Sequence, residues 1–546
     1  MNIFKTLRRL SPLNSFNEFF IAWVYFVQGS GGIVGIAEAV ILREQLGLDF
    51  AQMGLIAAAS IIPWSIKPLY GLLTDLVPIG GFRRKPYLHF APLLAVAGYA
   101  WIALYANSFL TFLIPLLIAN VGLGITDVAT DGFIVESSTK ENVARLQGIT
   151  QASIRIAAFF ASFFSGLLIF RGILTPHQIF WIAAALPFFT VIFSFWVREQ
   201  KVSAAAENVA RHELTPPFIA SLVGVFALII ANLALPDFLP GLTNLPGTFW
   251  SVISWGSFFV WMTAYFWKLK KLKLTSGMIF LAMLFILLWR FNPGAGSPMF
   301  FYLKDVLKIS EETLGFVNTS AQVASILAVI LAVKFFDKFS LKRVLGYTVL
   351  AAGLFGISAF AITRVEVAEA LGANPLIDFV STLIALPVYF FEAVFSWLTG
   401  GDWNNFFANA VGLSPVENFL FLQSFVGEML FMIAYIPLFK LAVLITPKKA
   451  EATNFAIIAA VMNIGLALSS YTSGILYEKL KIPGLGEGGI DLHAIEILIW
   501  ISVITSLSCL LVLPFLREKE IVRIRGKIQK IGISGNLIAR LARSDA

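Results

Sequence analysis

Long apolar runs separated by short polar stretches dominate the chain. A membrane-spanning helix needs roughly 20 apolar residues, and fourteen runs approach that length. The first six are predicted near 18–42, 50–74, 87–106, 109–136, 147–170 and 176–197. Two more are predicted near 216–234 and 249–267, followed by six near 277–303, 313–335, 342–363, 417–445, 452–477 and 494–516. The pattern predicts an all-α integral membrane protein with two sets of six spans and an inserted pair.

Polar stretches between the runs divide the chain into four parts. Residues 1–197 are predicted to form an N-terminal six-helix bundle, and 198–276 a linker with two extra transmembrane helices. Residues 277–516 are predicted to form a C-terminal six-helix bundle, and 517–546 a basic cytoplasmic tail.

One apolar segment does not fit the alternation of sides. Residues 375–413 lie within an insertion at about 364–416 and, counted as a span, would reverse the side of everything after them. We therefore expect a re-entrant hairpin or an interfacial helix on the outer side, turning at Gly400, Gly401 and Asp402.

Composition supports a membrane protein and excludes several other classes. Of 546 residues, 58% are hydrophobic and only 13% charged, whereas soluble domains carry about 25% charged residues. The single cysteine, Cys509, rules out an internal disulfide, and the four histidines show no metal-ligand spacing. No metal, cofactor or catalytic residue is predicted, and no phosphate-binding loop is present in the sequence. We therefore expect no enzyme and no ATP-driven pump.

The distribution of positive charge fixes the predicted orientation. The net charge is +8. With the N-terminus inside, about 29 of the 40 Lys and Arg residues fall in inner loops and tails and about seven fall outside. This placement follows the positive-inside rule and predicts no nucleic-acid partner.

A basic loop after the second run carries the most specific motif. Gly71 lies four residues before Asp75, on one helix face, and the consecutive bases Arg83, Arg84 and Lys85 follow. This order resembles the loop between helices two and three of major facilitator transporters. The resemblance implies a cytoplasmic gate: the acid pairs with a neighbouring helix, and the bases hold that side shut in one state.

The loop also resembles one family in particular. It is a few residues longer than usual, follows Lys67-Pro68 and ends in Arg-Arg-Lys-Pro-Tyr, as in the folate–biopterin transporter family. The D-x-x-x-D-x-x-x-x-E pattern at Asp127, Asp131 and Glu136 and the segment LLWRFNPGAGSPMFFYLKDVLKIS resemble the same family. Arg290 departs from the neutral polar residue expected in that segment. The resemblance implies a carrier for folate- or pterin-type organic anions.

Charged residues at membrane depth are candidates for function because they are costly there. Asp127 and Asp131 share one helix face, and Glu136 lies nearer the cytoplasmic end. Arg155 lies level with Asp127 on the next, antiparallel helix, and Lys67 lies at a similar depth. We expect an ion-pair network around Asp127 and Arg155 that handles protons or substrate, or that only locks the structure.

Two spans are interrupted at corresponding places. The first contains a glycine-rich break that begins at Gln28, and the seventh core span breaks from Asn292 to Gly296. Such paired interruptions indicate a central binding site in transporters. Near the second break, Arg290 offers a fork for a carboxylate, and aromatic side chains including Trp289 and Tyr302 offer rings for a flat heterocycle. Glu428, near mid-depth of the tenth core span, is a possible partner of Arg290 or a proton carrier.

These residues predict a monomeric, proton-coupled carrier of a small anionic molecule in a lipid bilayer. A bacterial inner membrane is expected, and a plastid or other organelle membrane is the alternative. Other readings remain open: a carrier resembling muropeptide permeases or acyl-CoA transporters, or a non-transporting assembly factor on the same fold.

Overall fold

The computed structural model describes residues 15–137, 143–201, 277–335, 339–400, 406–445, 451–482 and 489–517. Helices make up the architecture of these residues, and the one β-type pairing among them is an isolated bridge between Ile79 and Phe82. An all-α membrane protein is therefore confirmed. The two predicted inserted spans and nearly all of the basic tail lie outside the described residues.

The N-terminal half consists of eight helices in the described ranges. They are α1 (Phe16–Gly29), α2 (Gly35–Val40), α3 (Phe50–Ser65), α4 (Lys67–Leu76), α5 (Lys85–Tyr105), α6 (Phe109–Ser137), α7 (Val143–Phe170) and α8 (Pro176–Ser194). A 3₁₀ segment at Ser30–Val34 joins α1 to α2, and a π turn follows at Ile41–Gln45. The predicted glycine break of the first span is thus a change of helix type rather than an open gap.

The C-terminal half repeats this plan with additions. Its described helices are α9 (Gly277–Arg290), α10 (Gly296–Phe301), α11 (Glu311–Phe335), α12 (Leu341–Phe355), α13 (Ala359–Thr363), α14 (Val365–Gly372), α15 (Pro375–Leu398), α16 (Phe406–Val411), α17 (Pro415–Ile445), α18 (Glu451–Leu480) and α19 (Leu492–Ser508). A π turn at Tyr302–Val306 follows α10. The seventh core span is therefore α9 plus α10, separated at Phe291–Ala295.

Matching details show that the halves are parallel repeats. Each first span ends in a π turn followed by a residue with positive φ, Gly47 at +64° and Lys308 at +57°. A lysine accepts this left-handed conformation at some cost in energy, so the turn geometry takes precedence over residue preference there. The following helices, α3 and α11, then begin in equivalent positions.

We call the end of the bundle that carries residues 41–50, 171–175 and 304–310 the outer end, following the predicted orientation. The end that carries residues 77–84 and 195–201 is the inner end. Twelve of the described helical stretches are long and apolar enough to cross a membrane, and α9 is shorter. One of the twelve is α15, the segment that the sequence analysis predicted not to cross.

Contacts along α15 place both of its ends beside the outer end. Near its start, Asp378 accepts a hydrogen bond of 2.7 Å from Asn418, which lies in the first turn of α17. Near its end, the ring of Phe395 lies 5.4 Å from that of Phe164, six residues before the outer terminus of α7. A helix that crossed from outside would carry Phe395 to the inner side. These contacts favour an oblique helix over the predicted hairpin, and its path stays a prediction.

The topology has a direct test. We expect a reporter that is active only outside the cytoplasm to remain silent when it is fused after Lys527, because six spans of the second half return the chain to the inside if α15 does not cross. The same reporter fused after Gly172 should be active and serves as the control. A strong signal after Lys527 would contradict this topology.

Candidate functional site

Two acids of α6 bind two polar side chains of α1 within the candidate membrane-spanning stretches of both helices. Gln28 Nε2 donates to Asp127 Oδ1, and the Tyr25 hydroxyl donates to Asp131 Oδ1. The partners are three residues apart on α1, and the acids are four apart on α6, so each pair shares one helix face. These contacts join the two helices at the level where lipid surrounds the bundle.

Lys67 completes this cluster from α4. Its ammonium group forms an ion pair with Asp127 Oδ2 and lies 4.9 Å from the ring centre of Trp64. The Lys67 side chain is 17% exposed and that of Asp127 only 3%. The described cluster therefore contains two carboxylates and one ammonium group, and Lys67 is more exposed than Asp127.

A break in the second span positions Lys67. Pro68 has no N–H to donate to the carbonyl of Trp64, so the helix interrupts at Ile66 and Lys67 starts the next helix. Asn463 of α18 donates to that free carbonyl at 2.9 Å. The interruption thus creates a polar contact between the two halves beside the ion pair.

The expected pairing of Asp127 with Arg155 is wrong. Asp127 binds Lys67 and Gln28, whereas Arg155 Nη2 contacts Met432 Sδ of α17 at 3.2 Å. Helix depth was predicted from residue counts, but depth does not determine the direction in which a side chain points around its helix. Arg155 faces the other half, where Glu428 lies within electrostatic range.

Arg290 lies at the end of α9 against a stack of aromatic rings. Its guanidinium carbon is 5.9 Å from the ring centre of Trp289. Trp289 is nearly parallel to Phe431 and Tyr435 of α17, with ring centres 5.1 and 5.6 Å away. The sequence predicted Trp289 near Arg290 but did not predict the two α17 rings, because they are distant in the chain.

The broken seventh span is tied to neighbouring helices. Ser502 donates to Asn292 Oδ1 at 2.5 Å, and Ser473 donates to the carbonyl of Gly294. Tyr302, in contrast, is 1% exposed and donates to the carbonyl of Ile362. Tyr302 therefore belongs to the packed core, and the structure does not present it to the space beside Arg290.

The predicted gate residues lie at the inner end. Arg84 is buried, and its Nη1 donates to Thr74 Oγ1 at 2.6 Å. A Cβ atom at Gly132 of α6 would lie 2.4 Å from Arg84 Cζ, so glycine makes room for the guanidinium. A Cβ atom added at Gly71 would lie 3.8 Å from Val128 Cγ1 of α6, an ordinary contact, so this approach does not require glycine.

Sequence reasoning missed a carboxylate that holds the same loop. Glu199 accepts hydrogen bonds from the backbone N–H groups of Arg83 and Arg84 at 3.0 and 2.9 Å, and from that of Lys85 at 2.7 Å. Lys85 Nζ donates to the carbonyl of Phe195 at 3.0 Å. Glu199 follows the sixth span, so no local signal linked it to the loop. The side chains of Asp75 and Glu136 lie outside the described part of the structure.

The outer end is closed by two equivalent helix crossings between the halves. A Cβ atom on Gly474 of α18 would lie 2.2 Å from the carbonyl oxygen of Phe50, the first residue of α3. A Cβ atom on Gly166 of α7 would lie 1.9 Å from the carbonyl oxygen of Glu311, the first residue of α11. Each crossing therefore requires glycine, and the two form one symmetric outer seam.

Ion pairs reinforce the outer seam. Arg171 binds Glu312 at 2.8 Å and Glu392 of α15 at 2.5 Å. Burial lowers the pKa of Arg171, but the hydrogen bonds and charges of these two glutamates raise it by more, so its pKa lies above the ordinary value. Lys304 binds Glu44 and, at 3.1 Å, Glu311. The described structure is thus shut at its outer end.

Two bundles of helices arranged as parallel repeats, with ionisable groups between them at mid-depth, define a major facilitator transporter. Solved structures share this fold. A peptide transporter POT in complex with sulfate matches with a TM-score of 0.60 at 15% identity, covering 93% of this chain and 95% of that one. A D-xylose–proton symporter matches with a TM-score of 0.55 at 14% identity, covering 93% and 98%.

The chain belongs to the BT1 family, whose model matches residues 28–368 and 405–530. The "Folate-biopterin transporter" of Synechocystis sp. is 26% identical over 496 residues, which is 90% of this chain and 79% of that protein. The "Probable folate-biopterin transporter 2" of Arabidopsis thaliana is 24% identical over 462 residues, which is 83% and 74%. The family resemblance is therefore confirmed, and the chain is a multi-pass membrane transporter of a small molecule rather than an enzyme. The stretch that the family model leaves unmatched contains α15.

Proposed function

We propose that this protein moves folate- or pterin-type organic anions by alternating access and couples the movement to protons. The observation that carries the proposal is the cluster of Lys67, Asp127 and Asp131 at mid-membrane, beside the interface of the two halves. Its similarity to folate-biopterin transporters supports the substrate class.

Charge balance in this cluster favours a proton. Two carboxylates and one ammonium group leave one negative charge in excess, and an uncompensated charge at this depth is costly. A proton bound to one of the carboxylates removes this excess negative charge without moving any helix. Asp131 is the better carrier, because Lys67 already pairs with Asp127, whereas the Asp131 carboxylate accepts a hydrogen bond from the neutral Tyr25 hydroxyl.

Closure of the outer seam supports alternating access. A substrate at mid-depth can leave toward the outside only if the crossings at Gly166 and Gly474 separate. The inner gate residues, Arg83, Arg84 and Lys85, are here bound within the N-terminal half to Glu199. We infer that they exchange these contacts for others when the inner side shuts.

Arg290 is the proposed ligand for the anion. Replacing Arg290 with Ala removes a guanidinium whose hydrogen bonds to a charged group are worth about 1.5–3 kcal/mol, so we expect the apparent KM for folate to rise at least about ten-fold. Uptake by proteoliposomes, normalised to the amount of reconstituted protein, measures this. Unchanged kinetics would rule out Arg290 as a ligand.

The substrate class has its own test. Uptake of labelled folate by proteoliposomes should be inhibited by unlabelled pterins and unaffected by sugar-peptides, acyl-CoA or amino acids. Inhibition by a sugar-peptide or acyl-CoA, with none by pterins, would favour the alternative carriers. Absence of any uptake by folded protein would favour an assembly role.

We propose that the protein works as a monomer in the lipid of a bacterial inner membrane.

A further inference from the structure

Two arginines that approach the interface from opposite halves form no ion pair in the described part of the structure. Arg155 lies on α7 and Arg290 on α9, and the Nε atom of each is buried without a hydrogen-bond partner. Among the described residues, no carboxylate lies within ion-pair distance of either guanidinium. Arg155 instead contacts the thioether of Met432, a weak acceptor, and Arg290 lies over the Trp289 ring.

Tyr435 of α17 connects the two arginines in space. It interacts electrostatically with both Arg155 and Arg290, and with Lys67 as well. Both arginines also lie against the same stretch of α17, since Arg155 contacts Met432, and Trp289, next to Arg290, packs on Phe431 and Tyr435. Of the three cations near Tyr435, Lys67 is already paired with Asp127. The buried guanidinium groups of Arg155 and Arg290 form no ion pair among the described residues, and a bound anion would stabilise them by charge-assisted hydrogen bonds.

The buried Nε atoms indicate how that anion binds. A carboxylate accepts two parallel hydrogen bonds from the edge of a guanidinium formed by Nε and one terminal nitrogen. This arrangement satisfies a buried donor that is otherwise unpaired. At Arg155 the terminal nitrogen Nη2 contacts Met432 Sδ, so a carboxylate would have to replace that weak acceptor. With side-chain movement that uncovers the buried Nε atoms, each arginine can receive one carboxylate.

An aromatic surface lies beside the same arginines. Phe431 and Tyr435 are nearly parallel, with ring centres 5.9 Å apart and planes 15° apart. Trp289 completes a group of three rings whose centres are 5.1, 5.6 and 5.9 Å apart, and the Phe431 ring is 36% exposed. An aromatic surface of this kind suits a flat heterocycle next to the carboxylates.

We propose that Arg155 and Arg290 each bind one carboxylate of a substrate that carries two, and that this pair makes the transporter selective for dicarboxylates. The substrate then touches both halves at once, since α7 and α9 belong to different repeats. This inference rests on the proposed function. It adds a selectivity determinant, Arg155, that the family resemblance did not assign.

A matched pair of ligands tests the inference. Folic acid carries two carboxylates and pteroic acid one, and both share the pterin ring. Purified protein should bind folic acid at least about ten-fold more tightly, the factor expected for one charge-assisted contact. Arg155→Gln should reduce folic acid affinity to the level of pteroic acid and change pteroic acid affinity less than about two-fold. Tryptophan fluorescence quenching measures both affinities.

The controls separate the possible failures. Arg364→Gln makes the same change at an exposed arginine of the outer end and should keep the selectivity. Retained pteroic acid binding shows that the Arg155→Gln protein is folded. Equal loss for both ligands, or no loss for either, would overturn the inference while leaving the proposed function intact.

If the wild-type protein binds neither pterin ligand, the proposed function is contradicted, and simple acids still test the arginine pair. Glutarate carries two carboxylates and butyrate one. Thermal stabilisation by glutarate but not butyrate, lost in Arg155→Gln, would support the pair. Equal response to the two acids would overturn it.

Discussion

Replacing Gly166 or Gly474 with Val is expected to abolish net transport by forcing the outer seam apart. In each case the new Cβ atom would meet a backbone carbonyl oxygen, at 1.9 Å for Gly166 and 2.2 Å for Gly474. Backbone cannot move aside as a side chain can, and overpacking costs typically about 1–3 kcal/mol. This cost disfavours the outer-closed state by about five-fold to about a hundred-fold, because 1.4 kcal/mol corresponds to a factor of ten.

Labelling of a buried cysteine measures the opening. Met53 of α3 is 4% exposed and lies one turn from the seam residue Phe50. In a Cys509→Ser background, a maleimide should therefore label Met53→Cys slowly. Adding Gly474→Val should make this labelling about ten-fold faster. Gly148→Val is the control, because no atom lies within 4 Å of its added Cβ. Wild-type transport in both seam variants would contradict a role for the crossings.

Asn substitutions of the two α6 acids should have different consequences. Asp131→Asn removes the proposed proton carrier, so the protein should exchange labelled for unlabelled folate and yet fail to concentrate it. Asp127→Asn leaves Lys67 without its ion-pair partner, and breaking a buried pair costs about 3–5 kcal/mol. We therefore expect Asp127→Asn to reduce exchange as well, by about a hundred-fold or more if that cost falls on the transporting state.

Counterflow and net uptake in the same vesicles separate these outcomes. Asp378→Asn, an acid of α15 that contacts Asn418 at the outer end, is the matched control and should retain both activities. Concentrative uptake by Asp131→Asn at wild-type rates would show that this acid is structural and would make Glu428 the next candidate.

The sequence predicts the helices well because a membrane-spanning helix requires a long apolar run, and few other structures can span a bilayer. The second span was predicted as one run, 50–74, and its break at Lys67-Pro68 was not predicted, although proline always lacks the N–H. The direction in which each of these charged side chains points could not be predicted from the sequence. Asp127 and Arg155 were predicted level, but they face different helices, and only packing sets that rotation.

Contacts between side chains that are distant in the chain could not be predicted from the sequence either. Phe431 and Tyr435 meet Trp289 through the packing of α17 on α9, and one phenylalanine among 52 carries no local signal. Tyr302 was expected at the site because it is near Arg290 in sequence, but the helix turns its ring into the core. The outer seam does have a sequence pattern: Ser162 and Gly166 repeat the spacing of Ser470 and Gly474.

The central claim is that folate-type anions move together with protons through the Lys67, Asp127 and Asp131 cluster. The most direct measurement is the uptake of labelled folate by proteoliposomes with an imposed inward proton gradient and no other energy source. The account predicts transient accumulation above equilibrium in the wild-type protein, abolished by a protonophore and absent in Asp131→Asn. Folate that only equilibrates, at the same rate with and without the gradient, would contradict it.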